Sequence, residues 1–187
     1  MLSTNSEIMA DGFRIGPEPA RLYHRELVAE DAQDVFDFNG HPLVMKYTGE
    51  PLWKSLEETE QRLRDYTEFT RIGFGRWGCV YKPENKVIGF SGFKYIPELD
   101  EVDLGFRFHP EYWGHGLATE SALACIEFGF ERLNLKRIVA LVLPENTASI
   151  RVLEKAGMHD DGIFQFEGKP PHKFIIEHSN WKIPSLS

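Results

Sequence analysis

Cysteine is scarce in this chain of 187 residues, and its placement argues against two classes of small protein. The two cysteines, Cys79 and Cys125, lie far apart and form no C-x-x-C pair. A disulfide scaffold and a zinc ribbon both need more cysteines at closer spacing, so neither is indicated. We expect both thiols to be reduced, as in a cytoplasmic protein.

Long apolar runs and an excess of basic residues are also missing. The N-terminal residues have no basic start and no unbroken apolar stretch, and no other segment is long enough to span a bilayer. We therefore expect neither a secretory signal nor a membrane partner. The formal net charge of −8 opposes non-specific binding to nucleic acid and favours a cationic partner.

Repeats, low-complexity tracts and inter-domain linkers are absent as well. A chain of this length without them is predicted to form one domain with its own buried core. The first 20 residues contain two glycines and two prolines and are predicted to be an arm of uncertain order. The domain is therefore expected to span residues 21–187.

The hydrophobic pattern alternates between strand-like and helix-like periods. The predicted strands lie at residues 21–27, 76–82, 87–96, 102–109, 137–144, 162–166 and 172–178. The predicted helices lie at residues 31–39, 55–70, 117–133 and 147–156. This order predicts an α/β (α+β) fold with a single mixed, mostly antiparallel sheet of six to seven strands and about four helices.

Two glycines stand one residue apart in W-G-H-G-L-A-T-E (residues 113–120), where the longest helix is predicted to begin. The first amides of a helix have no partners within it, and glycine lets the backbone come close to an anion. An isolated G-x-G is more often a simple turn. The loop therefore needs a second motif before it indicates a phosphate site.

That second motif is present. The run F-R-F-H-P-E-Y-W-G-H-G-L-A-T-E-S-A, followed by L-V-L-P-E-N-T-A-S-I-R-V-L-E-K-A-G-M, resembles the acetyl-CoA-binding region of the GNAT superfamily of N-acetyltransferases. More narrowly, it resembles the branch of ribosomal-protein N-terminal (Rim-type) acetyltransferases. The resemblance covers about residues 21–181. It implies a splayed central strand pair, acetyl-CoA as co-substrate, and direct transfer of the acetyl group to a primary amine.

The resemblance also implies where acetyl-CoA binds. Amides of the glycine loop would bind the pyrophosphate, strand backbone would pair with the pantetheine amides, and the start of the next helix would lie near the sulfur. The family has Gln or Arg at the position of Trp113. The Trp113 backbone, rather than its side chain, is therefore expected to contribute to phosphate binding. The implied cofactor-binding residues are Phe106, Phe108, Trp113, Gly114, His115, Gly116, Leu117, Ala118, Thr119, Asn146 and Ser149.

Amine acetylation needs a base for the amine, a donor for the thioester oxygen, and a proton for the departing thiolate. Asp103 is the first candidate for the base. Glu101, Glu98 or water could serve instead, and these acids could also only solvate their turn. A strand amide near Phe106 is the candidate oxyanion donor. Many GNAT enzymes have a tyrosine where this chain has Leu153, which leaves Ser149 or solvent as the acid.

Two features bear on metals and on other enzyme classes. His109 and His115 flank the glycine loop without metal-ligand spacing, so no metal is expected. Thr119 stands where a dinucleotide-binding G-x-G-x-x-G would have its third glycine, which disfavours that class. A non-catalytic acyl-CoA-binding regulatory module is the alternative function.

The acceptor amine stays open among a protein N-terminus, a polyamine and a small molecule, and the oligomeric state stays open between monomer and homodimer. The two helices before the main sheet, with the loop of residues 41–54 between them, are expected to form one wall of the acceptor site. Tyr47, Trp53 and Tyr66 could frame an amine there or belong to the core. The acids Glu50, Glu57 and Glu58 suit a cationic substrate, although a charged outer helix face is the commoner explanation.

Overall fold

A seven-stranded sheet organises the computed structural model, which describes residues 12–182. The strands are β1 (Leu22–Arg25), β2 (Arg76–Tyr81), β3 (Lys86–Ile96), β4 (Glu101–Phe108), β5 (Arg137–Val142), β6 (His159–Ile163) and β7 (His172–Glu177). Their order is β1-β2-β3-β4-β5-β7-β6, and β4–β5 is the parallel pair among antiparallel ones. The predicted mixed, mostly antiparallel sheet is confirmed.

Helices cover both faces of the sheet. The α-helices of the described residues are α1 (Ala32–Asn39), α2 (Pro42–Met45), α3 (Leu56–Arg64), α4 (Glu68–Arg71), α5 (Leu117–Glu131) and α6 (Thr147–Lys155). Helix α1 contacts β3 on one face, and α5 contacts β3 and β4 on the other. Helix α5 lies close to the sheet because its Gly129 faces Ile138 and Phe93, where an added Cβ would come within 2.9 Å of each side chain.

Two predicted elements had wrong boundaries, and one helix was not predicted. The helix predicted over residues 55–70 is two helices, because the chain turns at Asp65–Thr67 so that the Tyr66 hydroxyl accepts a hydrogen bond from the Arg76 amide. Helix α2 was missed, although Pro42 stands at its first position after His41. Strand β6 begins at residue 159 rather than 162, and its exposed edge position and irregular pairing remove the usual alternation.

Part of the predicted arm packs against the domain. The Trp77 indole donates a hydrogen bond to the Phe13 carbonyl at 2.7 Å, and the Phe13 ring contacts the Phe128 ring edge to face. Ile15 forms a bridge with Arg25 next to β1. The chain is thus ordered on the domain before residue 20, whereas residues 1–11 of the predicted arm lie outside the described residues.

A buried polar pair joins β1 to α5. His24 is 1% exposed, and its Nε2 lies 2.7 Å from the Ser121 hydroxyl while its Nδ1 lies 2.6 Å from the Pro17 carbonyl. Burial lowers the pKa of His24 from 6.5 to about 4, against the raising effects of the Pro17 carbonyl and Glu120. His24 is therefore neutral in the folded protein at physiological pH.

This depressed pKa predicts a loss of stability in mild acid. Between pH 6.5 and 4 the unfolded chain binds a proton at His24 that the folded chain does not, so folding weakens as the pH falls. We expect His24 to account for about 2 kcal/mol of the unfolding free energy lost between pH 7 and pH 5. Urea unfolding at both pH values, with His24→Gln, checks this.

The matched control is His159→Gln, which alters an exposed histidine on β6. The His24→Gln variant should lose less stability on acidification than the wild type, and His159→Gln should lose as much. An unchanged pH dependence in His24→Gln would contradict the assignment.

Candidate active site

A cleft of about 810 Å³ opens where β4 and β5 diverge. The two strands share one register pair, Asp103 with Val139, within the described part of the chain. This confirms the expected splayed strand pair. The predicted catalytic and cofactor-binding residues that line the cleft are Asp103, Phe106, Phe108, Trp113, Gly114, Gly116, Leu117, Ala118, Thr119, Asn146 and Ser149. Glu98, Glu101 and His115 are not among its lining residues.

The carboxylate of Asp103 lies at the point where the strands separate. The Leu141 amide of β5 donates a hydrogen bond to Asp103 Oδ1 at 3.1 Å. In a continued parallel ladder this amide would bond to the backbone of β4. A side-chain oxygen therefore satisfies a buried strand amide, and the backbone of β4 beyond Asp103 is left facing the gap.

The glycine loop has the backbone conformation that its sequence suggests. Gly114 and Gly116 have φ angles of 80° and 76°, in the left-handed region, and Gly116 is the N-cap residue of α5. No side chain of the described residues caps this helix start. A Cβ added at Gly114 would meet nothing within 4 Å. The conformation, rather than crowding, requires glycine, and the uncapped amides have open space before them.

Arg21 holds the loop from behind, and sequence reasoning missed it. Its backbone amide and Nε donate to the two carboxylate oxygens of Glu120, each at 2.7 Å, and its Nη1 donates to the His115 carbonyl at 2.9 Å. Glu120 can be recognised from the sequence as an acid in the first turn of a helix. Its partner Arg21 cannot, because it lies 99 positions away. The start of α5 is thereby fixed to the start of β1.

Strand β4 presents its backbone to the gap at alternate residues. The His109 amide donates to the Ile88 carbonyl of β3 at 2.8 Å. By the alternation of an antiparallel ladder, the backbone groups of Phe106 and Phe108 then point toward β5. The Trp113 indole donates to the Phe108 carbonyl at 2.7 Å, so this group already has a partner. From the sequence, only the backbone of Trp113 was expected to contribute to the cofactor site, and not its side chain.

The environment of Asp103 differs from that of Glu101. Asp103 is 8% exposed, with Arg76 Nη2 at 3.4 Å. Burial raises the pKa of Asp103, against the lowering effects of Arg76, the Leu141 amide and Lys94. Glu101 instead pairs with Arg137 and Lys173 at 3.2 and 3.4 Å. A raised pKa suits a carboxylate that must take a proton near neutral pH.

Helix α6 forms the opposite wall at its N-terminus. Asn146 is the N-cap residue, and its side-chain oxygen accepts a hydrogen bond from the Ser149 amide at 3.3 Å. Ser149 and Leu153 both line the cleft, and Leu153 is 1% exposed. Residues four apart share a helix face. The Ser149 hydroxyl therefore lies on the same face as Leu153, the position at which the family resemblance implies a tyrosine.

Two segments close the far side of the cleft. They are residues 43–50, after α1, and residues 166–171, between β6 and β7. They meet at Gly49, where an added Cβ would lie 1.7 Å from Lys169 Nζ. Tyr47 and Glu50 line the cleft, as an acceptor wall requires.

The other acceptor candidates lie elsewhere. Trp53 packs beside α1 with Arg62 over its ring, and Tyr66 packs on Phe69. Glu57 and Glu58 belong to the first turn of α3, where Glu58 pairs with Arg62. None of these residues lines the cleft.

Residues 12–182 contain two buried thiols and hold neither a metal-binding cluster nor a helix that could span a membrane. Cys79 and Cys125 are free and buried, and burial raises the pKa of Cys125 to about 12. No group of three or more His, Cys, Asp or Glu side chains in this range is arranged to hold a metal ion. Within the same range, no helix has the length and apolar character needed to cross a membrane.

Comparisons with known proteins agree with this geometry. The acetyltransferase (GNAT) domain family matches residues 21–159. The uncharacterized N-acetyltransferase YnaD of Bacillus subtilis is 33% identical over 147 residues, which cover 78% of this chain and 83% of the relative. The spermidine N(1)-acetyltransferase of Escherichia coli is 28% identical over 160 residues, which cover 81% and 77%.

Solved structures show the same architecture. The structure of a GNAT-family acetyltransferase from Bacillus anthracis superposes with a TM-score of 0.72 at 29% identity. The superposition covers 85% of this chain and 95% of that protein. The sheet and its flanking helices are therefore shared over nearly the whole length of the relative.

Proposed function

The chain belongs to the GNAT acetyltransferase family, and from this premise we propose that its cleft transfers an acetyl group from acetyl-CoA to a primary amine by direct attack. The family match and the relatives named as N-acetyltransferases support acetyl-CoA-dependent acetyl transfer. Our proposal concerns which residues of this chain perform that transfer. The observation that carries it is the single cleft, which joins the glycine loop, Asp103 and Ser149 across the gap between β4 and β5.

The phosphate end of acetyl-CoA fits the glycine loop. Uncapped amides of residues 114–118 and the dipole of α5 favour an anion, and Thr119 extends the same turn. Arg21 offsets the negative charge of Glu120 behind the loop and fixes the His115 carbonyl. The pantetheine then follows the β4 edge, where the Phe106 backbone and the Asn146 side chain are the proposed polar contacts.

The chemical step follows from the groups at the gap. Asp103 takes a proton from the amine as its nitrogen bonds to the thioester carbonyl carbon. The Phe106 amide donates to the oxygen on which negative charge develops. The carbon–sulfur bond then breaks, and Ser149 or solvent returns a proton to the sulfur. The two buried thiols take no part, since neither lines the cleft.

Replacing Ser149 tests the acid. We expect Ser149→Ala to lower kcat several-fold and to leave acetyl-CoA affinity nearly unchanged, because a bond made mainly in the transition state affects kcat. The loss is modest because a thiol with a pKa of about 8.5 leaves readily as thiolate at neutral pH. Steady-state kinetics and titration calorimetry measure the two quantities. An equal loss in affinity would make Ser149 a positioning residue.

The acceptor is proposed only as a class. The spermidine acetyltransferase relative supports a polyamine, and the likeness of the loop motif to the Rim-type branch supports a protein N-terminus. A small molecule is the third possibility, and the net charge of −8 favours a cationic one. We further propose a cytoplasmic location and action as a monomer or homodimer.

An amine panel tests the proposed function. Thiol release from acetyl-CoA is measured with peptides bearing free N-termini, with polyamines and with amino acids, and acetylated products are identified by mass spectrometry. Amine-dependent thiol release is the expected result. Tight acetyl-CoA binding without thiol release from any amine would instead support the non-catalytic acyl-CoA-binding module.

A further inference from the structure

The cleft is positively charged although the whole chain is acidic. Seven lining residues are cationic, namely Lys46, Arg76, Lys94, Arg107, Arg151, Lys155 and Lys169. Three are acidic, namely Glu50, Asp103 and Glu167. The net charge of the chain, −8, therefore does not describe the surface that a substrate meets.

Most of this positive charge lies on the acceptor side. Arg151 and Lys155 belong to α6, beside the proposed cofactor site. Arg76 and Arg107 lie on the sheet face that α1 covers, opposite α5, as the hydrogen bond from Arg107 to Asn39 of α1 shows. Without the α6 pair, the lining keeps five cations against three acids, an excess of two.

The two arginines are only loosely paired. Their guanidinium carbons lie 5.3 Å (Arg76) and 5.1 Å (Arg107) from the ring centre of the same residue, Phe90. Arg76 reaches Asp103 and Arg107 reaches Glu50, both at 3.4 Å. Charge-assisted bonds are usually about 2.7–2.9 Å long. The carboxylates present thus hold these two arginines only weakly, although Arg107 also donates to Asn39.

Arg76 also has an unpartnered donor. Its Nε is buried and has no hydrogen-bond partner among the described residues. Arg107 is buried as well, with 9% of its side chain exposed. An unsatisfied buried donor on a charged group is costly, and a negative charge close to the guanidinium group would offset part of that cost.

We propose that the acceptor carries a carboxylate as well as its amine, and that Arg76 and Arg107 bind that carboxylate. This inference rests on the proposed acetyl transfer and narrows its acceptor. The planar guanidinium group matches the two oxygens of a carboxylate. Because Arg76 also contacts Asp103, a carboxylate held there brings a nearby amine close to the proposed base. The cations Lys46, Lys94 and Lys169 also line the cleft, and their charge opposes a polyamine.

Matched acceptors test the inference. The kcat/KM values of the wild type are measured for α-amino acids, for their α-carboxamides and for spermidine. We expect each accepted amino acid to exceed its amide by at least about tenfold, the equivalent of about 1.4 kcal/mol. The amine of an amide loses its proton more easily, so chemical reactivity alone would favour the amide. Equal or better use of the amides or of spermidine would overturn the inference.

Arginine variants test which residues cause the preference for a carboxylate. Arg76→Gln and Arg107→Gln should each reduce the acid-to-amide ratio, and this ratio cancels any effect on the acetyl-transfer step that both acceptors share. Arg71→Gln is the matched control, because Arg71 pairs with Glu68 on α4 and does not line the cleft. It should keep the wild-type ratio. An unchanged ratio in both cleft variants would also overturn the inference.

A binding measurement separates this inference from the proposed function. N-acetyl amino acids and their amides are titrated into the CoA-loaded wild type by calorimetry. Tighter binding of the acids supports the carboxylate site even if no amine is acetylated, in which case only the proposed transfer fails. Equal binding of acid and amide counts against the site regardless of turnover.

Discussion

Asp103→Asn is expected to lower kcat/KM by about 10² to 10⁴, the usual contribution of a general base, while acetyl-CoA affinity stays nearly unchanged. Asparagine keeps a side-chain oxygen that can still accept the hydrogen bond from the Leu141 amide. The splayed gap should therefore persist, while the variant removes the proton acceptor and the negative charge beside Arg76. Steady-state kinetics with one active amine, together with calorimetry for acetyl-CoA, measure both quantities.

The pH dependence makes this prediction sharper. Asp103 must be ionised to take a proton, so wild-type activity should fall as the pH drops through its raised pKa. The loss in Asp103→Asn should shrink at high pH, where the amine is already neutral in solution.

Glu101→Gln is the control, because Glu101 lies two residues away and its carboxylate is paired with Arg137 and Lys173. It should keep the acidic limb of the pH profile. Loss of that limb in Glu101→Gln alone would move the base to Glu101. An unchanged profile in both variants would mean that the amine arrives neutral and needs no protein base.

Gly116→Val is expected to weaken acetyl-CoA binding at least tenfold, or about 1.4 kcal/mol. Gly116 has a φ of 76°, which a β-branched residue adopts only with strain, and it is the N-cap residue of α5. Valine would turn the first amides of α5 away from the phosphates and place methyl groups in front of them. Titration calorimetry with acetyl-CoA measures the change.

Gly162→Val is the matched control for this loss. Gly162 also has a positive φ, 101°, and open space around it, but it lies on β6 outside the cleft lining. It should bind acetyl-CoA as the wild type does. If a folded Gly116→Val also kept wild-type affinity, the glycine loop would not be part of the cofactor site.

Local patterns were sufficient to predict most of the fold. The alternation over β2 to β4 and the helical period of α5 predicted a meander followed by a helix, and both are present. Predictions failed where the local signal was weak. Strand β6 lies exposed at the sheet edge, and the chain between α3 and α4 turns because Tyr66 bonds to the Arg76 amide, a contact that sequence periodicity does not show.

The residues of the site also fall into those that a local pattern predicts and those that depend on contacts distant in sequence. Both glycines, Asn146 and Ser149 were predicted from short motifs, because a helix start is a local feature. The tether from Arg21 to Glu120 and the bond from the Leu141 amide to Asp103 join residues 99 and 38 positions apart. Such contacts depend on strand order, which hydrophobic patterning leaves open. The positive charge of the cleft was likewise hidden by the acidic composition of the chain.

A crystal structure of the complex with acetyl-CoA tests the central claim most directly, namely that one cleft binds the cofactor and performs the transfer. The pyrophosphate should lie within hydrogen-bond distance of amides in residues 114–118. The pantetheine should pass between β4 and β5, with the thioester between Asp103 and Ser149. A cofactor bound outside the β4–β5 gap, or a thioester remote from both side chains, would contradict the account.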